Sequence, residues 1–311
     1  MSLSRDDDAK SELDQIVTRL EVLVAQPHVS SEYVRFRIAL LKAQWAVREA
    51  LAVAAPPISH SKSAGTSGPV PIGKETTSAG PALDPDTVAF DPELLQRLFV
   101  AICESAAQSC HQTEDMQRLT VAVTADPALL EGIARRSAFG PDLAYIESVS
   151  RQVQVFVDAL LFVGRALAAP FVAEAVRRVA AGASSVAGVG EAHARCPMCG
   201  SPPTIAKLRR EDGRRILFCG LCGRSWEFDR LACPCCENRD HGSLGLLRIS
   251  EADPRWLETC EVCNGYIKTV DERRLAEGET IVPLVEETAT LYLDLLAEKE
   301  GYIRRLPYAL S

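Results

Sequence analysis

The chain has 311 residues, of which 47% are hydrophobic and 24% charged, and its net charge is -8. This length suffices for one large domain or two ordinary ones with a substantial core. The acidic balance excludes bulk attraction to nucleic acid or to an anionic membrane. The polar, acidic start MSLSRDDDAK lacks the basic and then apolar pattern of a cleavable signal. We therefore expect a cytoplasmic protein.

The first half of the chain is predicted to be helical, because apolar residues recur there at three- and four-residue steps. The pattern begins between Leu13 and Val24 and continues to a long predicted helical region at about 143–179. The apolar run in that region is interrupted by Asp158 and Arg165. Such a run favours a buried helix over a membrane span, so no membrane insertion is expected.

Two signals mark boundaries in the helical region. Asp91 followed by Pro92 predicts a helix start, since aspartate caps a first turn and proline fits its geometry. Residues 55–90 are rich in Pro, Gly, Ser and Thr, a composition typical of a flexible connection.

Four Cys-x-x-Cys pairs fall between residues 196 and 263, and they limit the function more than any other feature. Two such pairs supply the four thiolates of one tetrahedral metal site, so the set predicts two metal ions. The eight predicted ligands are Cys196, Cys199, Cys219, Cys222, Cys233, Cys236, Cys260 and Cys263. A reducing cytoplasm favours metal ligation over disulfides.

The cysteine region is an internal repeat, in which CPMC at 196 recurs as CPCC at 233. Each motif is followed by a predicted hairpin and a second pair, and Gly213 is placed to turn the first hairpin. The repeat favours consecutive pairing, with two ribbons in series, over an interleaved arrangement. Gly200, Gly223 and Asn264-Gly265 follow second cysteines, where a knuckle needs a positive φ.

The role of these sites stays open from the residues alone. Closed four-ligand sites are usually structural, yet four sulfurs in a tetrahedron suit rubredoxin-like iron as well as zinc. A thioredoxin-like use would need a βαβ setting that the sequence does not show.

Other candidate ligands are given no metal role. Cys235 is interpreted as a spare thiol, because Cys236 has the required spacing from Cys233. Cys103 and Cys110 lie seven apart on a predicted helix, too far for a disulfide. His193 and His241 flank the region, and they are excluded as ligands because the cysteines already complete both sites. Trp226 and Tyr266 are expected to pack over the sites.

Three segments resemble the FdhE family of formate dehydrogenase accessory proteins: CPMCGSPP at 196–203, FCGLCGRSWEFDRLACPCCE at 218–237 and ETCEVCNGYIKTVD at 258–271. The tail ATLYLDLLAEKEGYIRRLPYAL at 289–310 is also similar. The resemblance implies a cytoplasmic, non-catalytic protein that holds two rubredoxin-like irons on the eight paired cysteines. It also implies a protein partner, the catalytic subunit of a respiratory formate dehydrogenase.

The expected fold class is α+β: an all-α N-terminal helical domain, two tandem rubredoxin-like or zinc-ribbon-like four-cysteine metal modules and a C-terminal helix. The predicted boundaries are 1–192 for the helical domain, 193–232 and 233–270 for the two ribbons, and 271–311 for the tail.

Two other functions compete with the accessory role. One is a nucleic-acid-binding zinc ribbon, but residues 195–240 hold nine basic residues against six acidic ones, too small a surplus for phosphate-dominated binding. The other is a rubredoxin-like electron carrier. Zinc is an alternative to iron in either site, and the sequence does not fix an oligomeric state.

Overall fold

A computed structural model describes residues 5–54, 81–109, 113–140, 142–182 and 193–305. Within these ranges the chain begins with seven helices, continues through a six-stranded sheet and ends with two short helices. The expected fold class is confirmed. The helices of the first region are α1 (Arg5–Leu23), α2 (Ser31–Ala54), α3 (Pro92–Ser109), α4 (Thr113–Ala125), α5 (Ala128–Ala138), α6 (Leu143–Val153) and α7 (Val157–Gly182).

Local signals place several helix ends. The Asp91 carboxylate accepts a hydrogen bond of 2.9 Å from the Leu94 amide, so the predicted cap of α3 is confirmed. The helical region predicted at about 143–179 is helical, and it consists of two helices. Gln154 adopts a left-handed conformation, with φ at 56°, and this residue separates α6 from α7.

Helix α7 forms the centre of the helical core. It is long and apolar enough to cross a membrane by length and composition alone, and 72% of its most apolar window is buried inside the protein. Leu160, Leu161 and Leu167 on this helix are fully buried. The helix is therefore a core helix, as its interrupting charges predict.

Helices α5 and α7 approach closely at Gly164. A methyl group there would lie 2.6 Å from the Ile133 carbonyl oxygen and would also collide with Ser137 Oγ. We expect Gly164→Ala to destabilise the protein by about 1–3 kcal/mol in chemical denaturation, even though alanine favours a helix over glycine.

Gly132→Ala on α5 is the matched control for this variant. Its added methyl meets only the hydroxyl end of Tyr145, a flexible side chain that can move aside. An equal loss of stability in both variants would contradict a close backbone contact at Gly164.

The sheet contains β1 (Ile205–Leu208), β2 (Arg215–Phe218), β3 (Ser225–Phe228), β4 (Leu244–Leu247), β5 (Arg255–Cys260) and β6 (Gly265–Asp271). Its order is β3-β2-β1-β6-β5-β4. All neighbours are antiparallel except β1 and β6, which pair in parallel. The two ribbons are therefore halves of one continuous sheet, joined by the first strand of one and the last strand of the other.

The C-terminal region forms two helices instead of the single predicted helix. They are α8 (Pro283–Ala289) and α9 (Leu291–Lys299), with Thr290 between them. Leu293 and Ala297 of α9 pack on Leu257 and Tyr266, which lie on one face of the sheet. The opposite face carries a second cluster around Leu217.

The predicted flexible segment at 55–90 requires a correction. Residues 55–80 lie outside the described part of the chain, but residues 81–90 are held by three buried side chains. Leu83, Val88 and Phe90 are buried in the helical core, and residues 85–87 form a short 3-10 helix. The proline- and glycine-rich composition concealed these three apolar anchors.

Candidate metal centres

The four Cys-x-x-Cys pairs form four turns of the same kind. In each, the residue after the second cysteine has a positive φ: 73° at Gly200, 76° at Gly223, 61° at Glu237 and 52° at Asn264. Glycine and asparagine adopt this conformation readily, whereas glutamate does so at a cost. Sequence reasoning placed three of these residues and missed Glu237.

The turns direct N–H groups toward sulfur. The Cys222 amide donates to Cys219 Sγ at 3.5 Å, and the Cys235 amide donates to Cys233 Sγ at 3.3 Å. The Asn238 side chain donates to Cys260 Sγ at 3.6 Å. Such bonds spread the charge of a thiolate and fix its direction, which is the usual surrounding of a sulfur ligand.

The eight cysteines form two groups, and the grouping is consecutive, as the repeat predicts. Cluster 1 contains Cys196, Cys199, Cys219 and Cys222, and cluster 2 contains Cys233, Cys236, Cys260 and Cys263. Within each cluster all four sulfurs lie within 4.8 Å of one another. Each cluster could hold a metal ion.

Distances between the sulfurs fit a tetrahedral site. They are 3.6 Å for Cys196 to Cys222 and 3.5 Å for Cys199 to Cys219 in cluster 1. In cluster 2 they are 3.8 Å for Cys233 to Cys263 and for Cys236 to Cys260. A tetrahedron with metal–sulfur bonds of about 2.3 Å has edges of about 3.8 Å. The residues therefore fit a four-coordinate ion.

Proton sharing in cluster 1 shows why a cation suits it. Hydrogen bonding from Cys199 lowers the pKa of the Cys196 thiol, whereas hydrogen bonding to Cys196 raises the pKa of the Cys222 thiol. Four adjacent thiols cannot all lose their protons without a compensating positive charge. A bound divalent ion supplies that charge and lets all four act as thiolates.

The two clusters differ in burial. All four cysteines of cluster 1 are buried, and they belong to the same hydrophobic core as helices α3, α5 and α7. In cluster 2, Cys236 is exposed and Cys263 is half-buried. Cluster 1 is thus an internal joint between helices and sheet, while cluster 2 lies near the surface.

Residues 81–90 of the helical region contact the first turn of cluster 1. The Ala82 amide donates to the Pro197 carbonyl at 2.9 Å, and the Leu83 amide donates to the Met198 carbonyl at 2.8 Å. Both acceptors lie between the first two cysteines of the cluster. Residues 81–90 therefore fix the first turn against the helical core.

The C-terminal tail contacts cluster 2 in a similar way. The Ile303 amide donates to the Asn264 carbonyl at 2.8 Å, and Arg305 Nε donates to the Cys263 carbonyl at 3.1 Å. A methyl group at Gly265 would lie 3.0 Å from Cys263 Sγ and 3.1 Å from Cys235 Sγ. The close approach of these two sulfurs explains why glycine follows Asn264.

Cys235 lies beside cluster 2 without belonging to its group of four. Its thiol donates to Cys263, which lowers the pKa of the Cys263 thiol to about 4. The Cys235 side chain also approaches the Tyr266 carbonyl oxygen at 3.8 Å. Cys236, at the predicted spacing, occupies the fourth position of the cluster.

The remaining candidates make other contacts or lie outside the described chain. Neither histidine belongs to a cluster, and the His193 carbonyl accepts a hydrogen bond of 2.8 Å from Trp226 Nε1. The Tyr266 hydroxyl donates to Asp294 at 2.8 Å. Cys103 lies on α3, half-buried and 3.7 Å from the Thr120 hydroxyl, while Cys110 falls outside the described residues.

Glu237 connects the two halves of the metal region, because its carboxylate accepts a 2.9 Å hydrogen bond from the Ala194 amide. We expect Glu237→Ala to be less stable than Glu237→Gly by about 1 kcal/mol. Both variants lose this hydrogen bond, but the positive φ strains the backbone of alanine and not that of glycine. Chemical denaturation of the metal-loaded protein measures the difference.

Gly223→Ala serves as the control for backbone strain. Nothing lies within 4 Å of an added methyl at Gly223, so its cost should be the backbone term alone, again about 1 kcal/mol. Equal stability of the alanine and glycine variants at position 237 would contradict the strained conformation.

The fold and the two four-sulfur clusters define a class of protein, in which a helical domain is joined to a pair of zinc-ribbon-type modules. Residues 195–230 match the family model described as FdhE, central domain. These residues contain the whole of cluster 1.

Curated relatives carry the match further along the chain. An FdhE homolog from Aquifex aeolicus is 38% identical over 112 residues, 35% of this chain and 38% of the relative. An FdhE homolog from Enterobacter sp. strain 638 is 30% identical over 181 residues, 53% of this chain and 57% of the relative. The chain thus matches about a third to just over half of the length of these relatives.

The crystal structure of the FdhE protein from Pseudomonas aeruginosa is similar over 94% of this chain and 93% of that one, with a TM-score of 0.54 and 21% identity. That likeness shows that the same fold extends through the helical region. This chain is thus similar to FdhE proteins in sequence over part of its length and in fold over nearly all of it.

Proposed function

We propose that this protein is a cytoplasmic accessory protein that binds the catalytic subunit of a respiratory formate dehydrogenase and supports its activation. The observation that carries the proposal is the pair of closed four-sulfur clusters, the first of which lies in the segment that matches the FdhE central-domain model. The sequence similarity to FdhE homologs supports the choice of client enzyme.

The geometry of the clusters favours a non-catalytic role. Four cysteine sulfurs fill a tetrahedral shell and leave no coordination position for a substrate. The eight cysteines would hold two ions and, when bound, those ions fix the turns and neutralise the thiolates. We propose iron as the native metal, because the FdhE resemblance implies it and four thiolates suit it.

Client binding is tested by capture from a cell that produces formate dehydrogenase. Tagged protein should retain the catalytic subunit, and a mock-tagged strain should not. The experiment needs reductant and anaerobic handling so that the thiols stay reduced. Failure of the tagged protein to retain any formate dehydrogenase subunit would refute the proposed function.

Metal analysis of protein purified without oxygen tests the choice of iron. We expect two iron ions per chain and the visible absorption of ferric thiolate after mild oxidation. Growth in iron-replete, zinc-limited medium controls for substitution of zinc by the host. Zinc in both sites under those conditions would refute the iron assignment and leave the client-binding proposal standing.

A second candidate, an electron carrier, is favoured by the exposure of Cys236, which brings one edge of cluster 2 to the surface. Voltammetry should then show a reversible one-electron couple that disappears in Cys236→Ser. The nucleic-acid alternative lacks similar support. Several of its basic residues are engaged in ion pairs, namely Arg209 and Arg214 with Glu227, Arg215 with Glu258 and Arg239 with Asp229.

A further inference from the structure

The metal region holds one thiol more than its two clusters need, and that thiol belongs to Cys235. In the internal repeat, CPMC at 196–199 corresponds to CPCC at 233–236, so the position of Cys235 is occupied by Met198 in the first half. Met198 is buried in the helical core, whereas Cys235 is half-buried beside cluster 2. The two clusters therefore differ by one free thiol at matching positions.

Cys235 lies against two of the ligand sulfurs. Its thiol is hydrogen-bonded with the sulfurs of Cys233 and Cys263. A methyl group at Gly265 would lie 3.1 Å from Cys235 Sγ and 3.0 Å from Cys263 Sγ, so these two sulfurs share the space that glycine leaves open. Cys235 and Cys263 belong to separate turns of the cluster. A covalent bond between them would cross-link those turns.

Small molecules have access to this group of sulfurs. A cavity of about 440 Å³ is lined by Cys233 and Cys235, and it offers many times the space that one water molecule needs. Cys263 is half-buried and Cys236 is exposed, whereas all four cysteines of cluster 1 are buried. Hydrogen peroxide is uncharged and scarcely larger than water, so neither its size nor the charge of the lining excludes it from cluster 2.

We propose that Cys235 makes cluster 2 a peroxide-modifiable site, in which oxidation joins Cys235 to Cys263 through a disulfide and releases the metal ion. The oxidant is hydrogen peroxide. Cluster 1 keeps its ion under the same treatment. The proposal concerns the thiols of this chain, and it does not depend on the client enzyme of the proposed function.

The chemistry takes two steps. A ligand sulfur is a thiolate, which is the nucleophilic form of cysteine, so Cys263 Sγ attacks one oxygen of the peroxide. The S–O bond forms, the O–O bond breaks and hydroxide leaves, which gives a sulfenic acid. The Cys235 thiol then attacks that sulfur. The S–S bond forms, the S–O bond breaks, and the hydroxyl group leaves with the thiol proton as water. The two sulfurs lose one electron each, and the peroxide gains both.

The disulfide opens the coordination shell of cluster 2. A disulfide sulfur is not an anionic ligand, so only Cys233, Cys236 and Cys260 remain as thiolates on the ion. Three protein ligands leave a position open to water and to competing ligands, which then remove the ion. The Cys263 carbonyl also accepts a 3.1 Å hydrogen bond from Arg305 Nε, so movement of this turn extends to the C-terminal tail.

Cys235 is the suitable partner because it does not belong to the group that holds the ion. Cys233 Sγ is also close, at 3.8 Å from Cys263 Sγ, but the ion would hold both of these sulfurs in place. Ligand sulfurs are equally close in cluster 1, with 3.6 Å between Cys196 and Cys222. Close ligand pairs are thus common to both clusters, whereas the adjacent free thiol is particular to cluster 2.

The test uses the full chain loaded with zinc, because zinc has no redox chemistry of its own. Peroxide is added in the absence of oxygen, and a zinc-sensitive dye follows release of the ion. The parent protein should release one of its two zinc ions and lose two free thiols. Peptide mapping with fragmentation should locate the disulfide between Cys235 and Cys263. A thiol reductant with added zinc should restore the cluster.

Cys235→Met gives cluster 2 the residue that cluster 1 has at the same position. This variant should bind two zinc ions and should release zinc at least about tenfold more slowly than the parent, because its sulfenic acid meets no free thiol. Cys235→Ser should behave in the same way. Cys103→Ser is the matched control, since it removes a half-buried thiol on α3 outside both clusters and should release zinc at the parental rate.

Three results would overturn the proposal. They are equal rates of zinc release by the parent and both Cys235 variants, a disulfide that maps to another pair of cysteines, and loss of both zinc ions by the parent at one rate. Mapping of the disulfide in the parent requires no substitution, so it decides the question even where a variant folds poorly.

Discussion

Replacing Cys219 with serine is expected to abolish cooperative folding of both the helices and the sheet. Cys219 is buried in cluster 1, inside the same core as α3, α5 and α7. A structural metal in a four-ligand site contributes about 10–16 kcal/mol of binding free energy, comparable to the whole stability of a domain. Near-UV circular dichroism and solubility measure the loss.

Cys236→Ser in cluster 2 is the matched control. Cys236 is exposed, so this variant should lose one metal ion per chain while keeping the helical core and a cooperative transition. Cys103→Ser, outside both clusters, should change neither. If Cys219→Ser melted within a few degrees of the parent, the role of cluster 1 as an internal joint would be refuted.

Asp294→Ala is expected to destabilise the protein by about 3–5 kcal/mol, because it removes a partner of a buried charge. Lys268 is 1% exposed, and its Nζ lies 2.8 Å from Asp294 Oδ2. The next carboxylate, on Glu287, is 3.8 Å away. Burial and the neighbouring Asp294 also raise the pKa of Tyr266, so the tyrosine stays a hydrogen-bond donor to that carboxylate.

Urea denaturation measures the effect, and Glu298→Ala on the exposed side of α9 is the control, expected within about 0.5 kcal/mol of the parent. Lys268→Met removes the buried charge itself. Combined with Asp294→Ala, it should restore part of the lost stability. Simple addition of the two single effects would contradict a direct pair.

Local chemistry made much of the cysteine region predictable. The spacing of Cys196 and Cys199 identifies a knuckle, and the repeat of that motif at Cys233 implies a second ribbon. Gly213, with φ at 68°, turns the first hairpin as expected. These features depend on neighbours a few residues apart, which is the range over which sequence patterns act.

Longer-range features were not predictable in the same way. Nothing in the alternation of Ile205 to Leu208 indicates that β1 pairs with β6, since parallel pairing depends on chain packing. The break at Gln154 was missed because glutamine has no preference for a left-handed conformation. Glu237 was missed for the same reason, although its place after a second cysteine matches that of Gly200 and Gly223.

The composition of residues 55–90 was misleading for a different reason. Proline and glycine predict a turn or a flexible link, and they describe backbone freedom well. They do not exclude burial of the few apolar side chains between them. Here Leu83 reaches the helical core while its amide bonds to Met198.

The parallel pairing of β1 with β6 has a consequence for synthesis of the chain. Strand β1 ends at Leu208, but β6 ends at Asp271. At ribosomal rates of about 5–20 residues per second, synthesis of β1 ends roughly 3–13 s before synthesis of β6, its second neighbour in the sheet. Cluster 1 is complete in sequence at Cys222, so metal loading during that interval would fix β1 to β2. Metal starvation should therefore lower the yield of the nascent chain through aggregation, before any mature apoprotein accumulates.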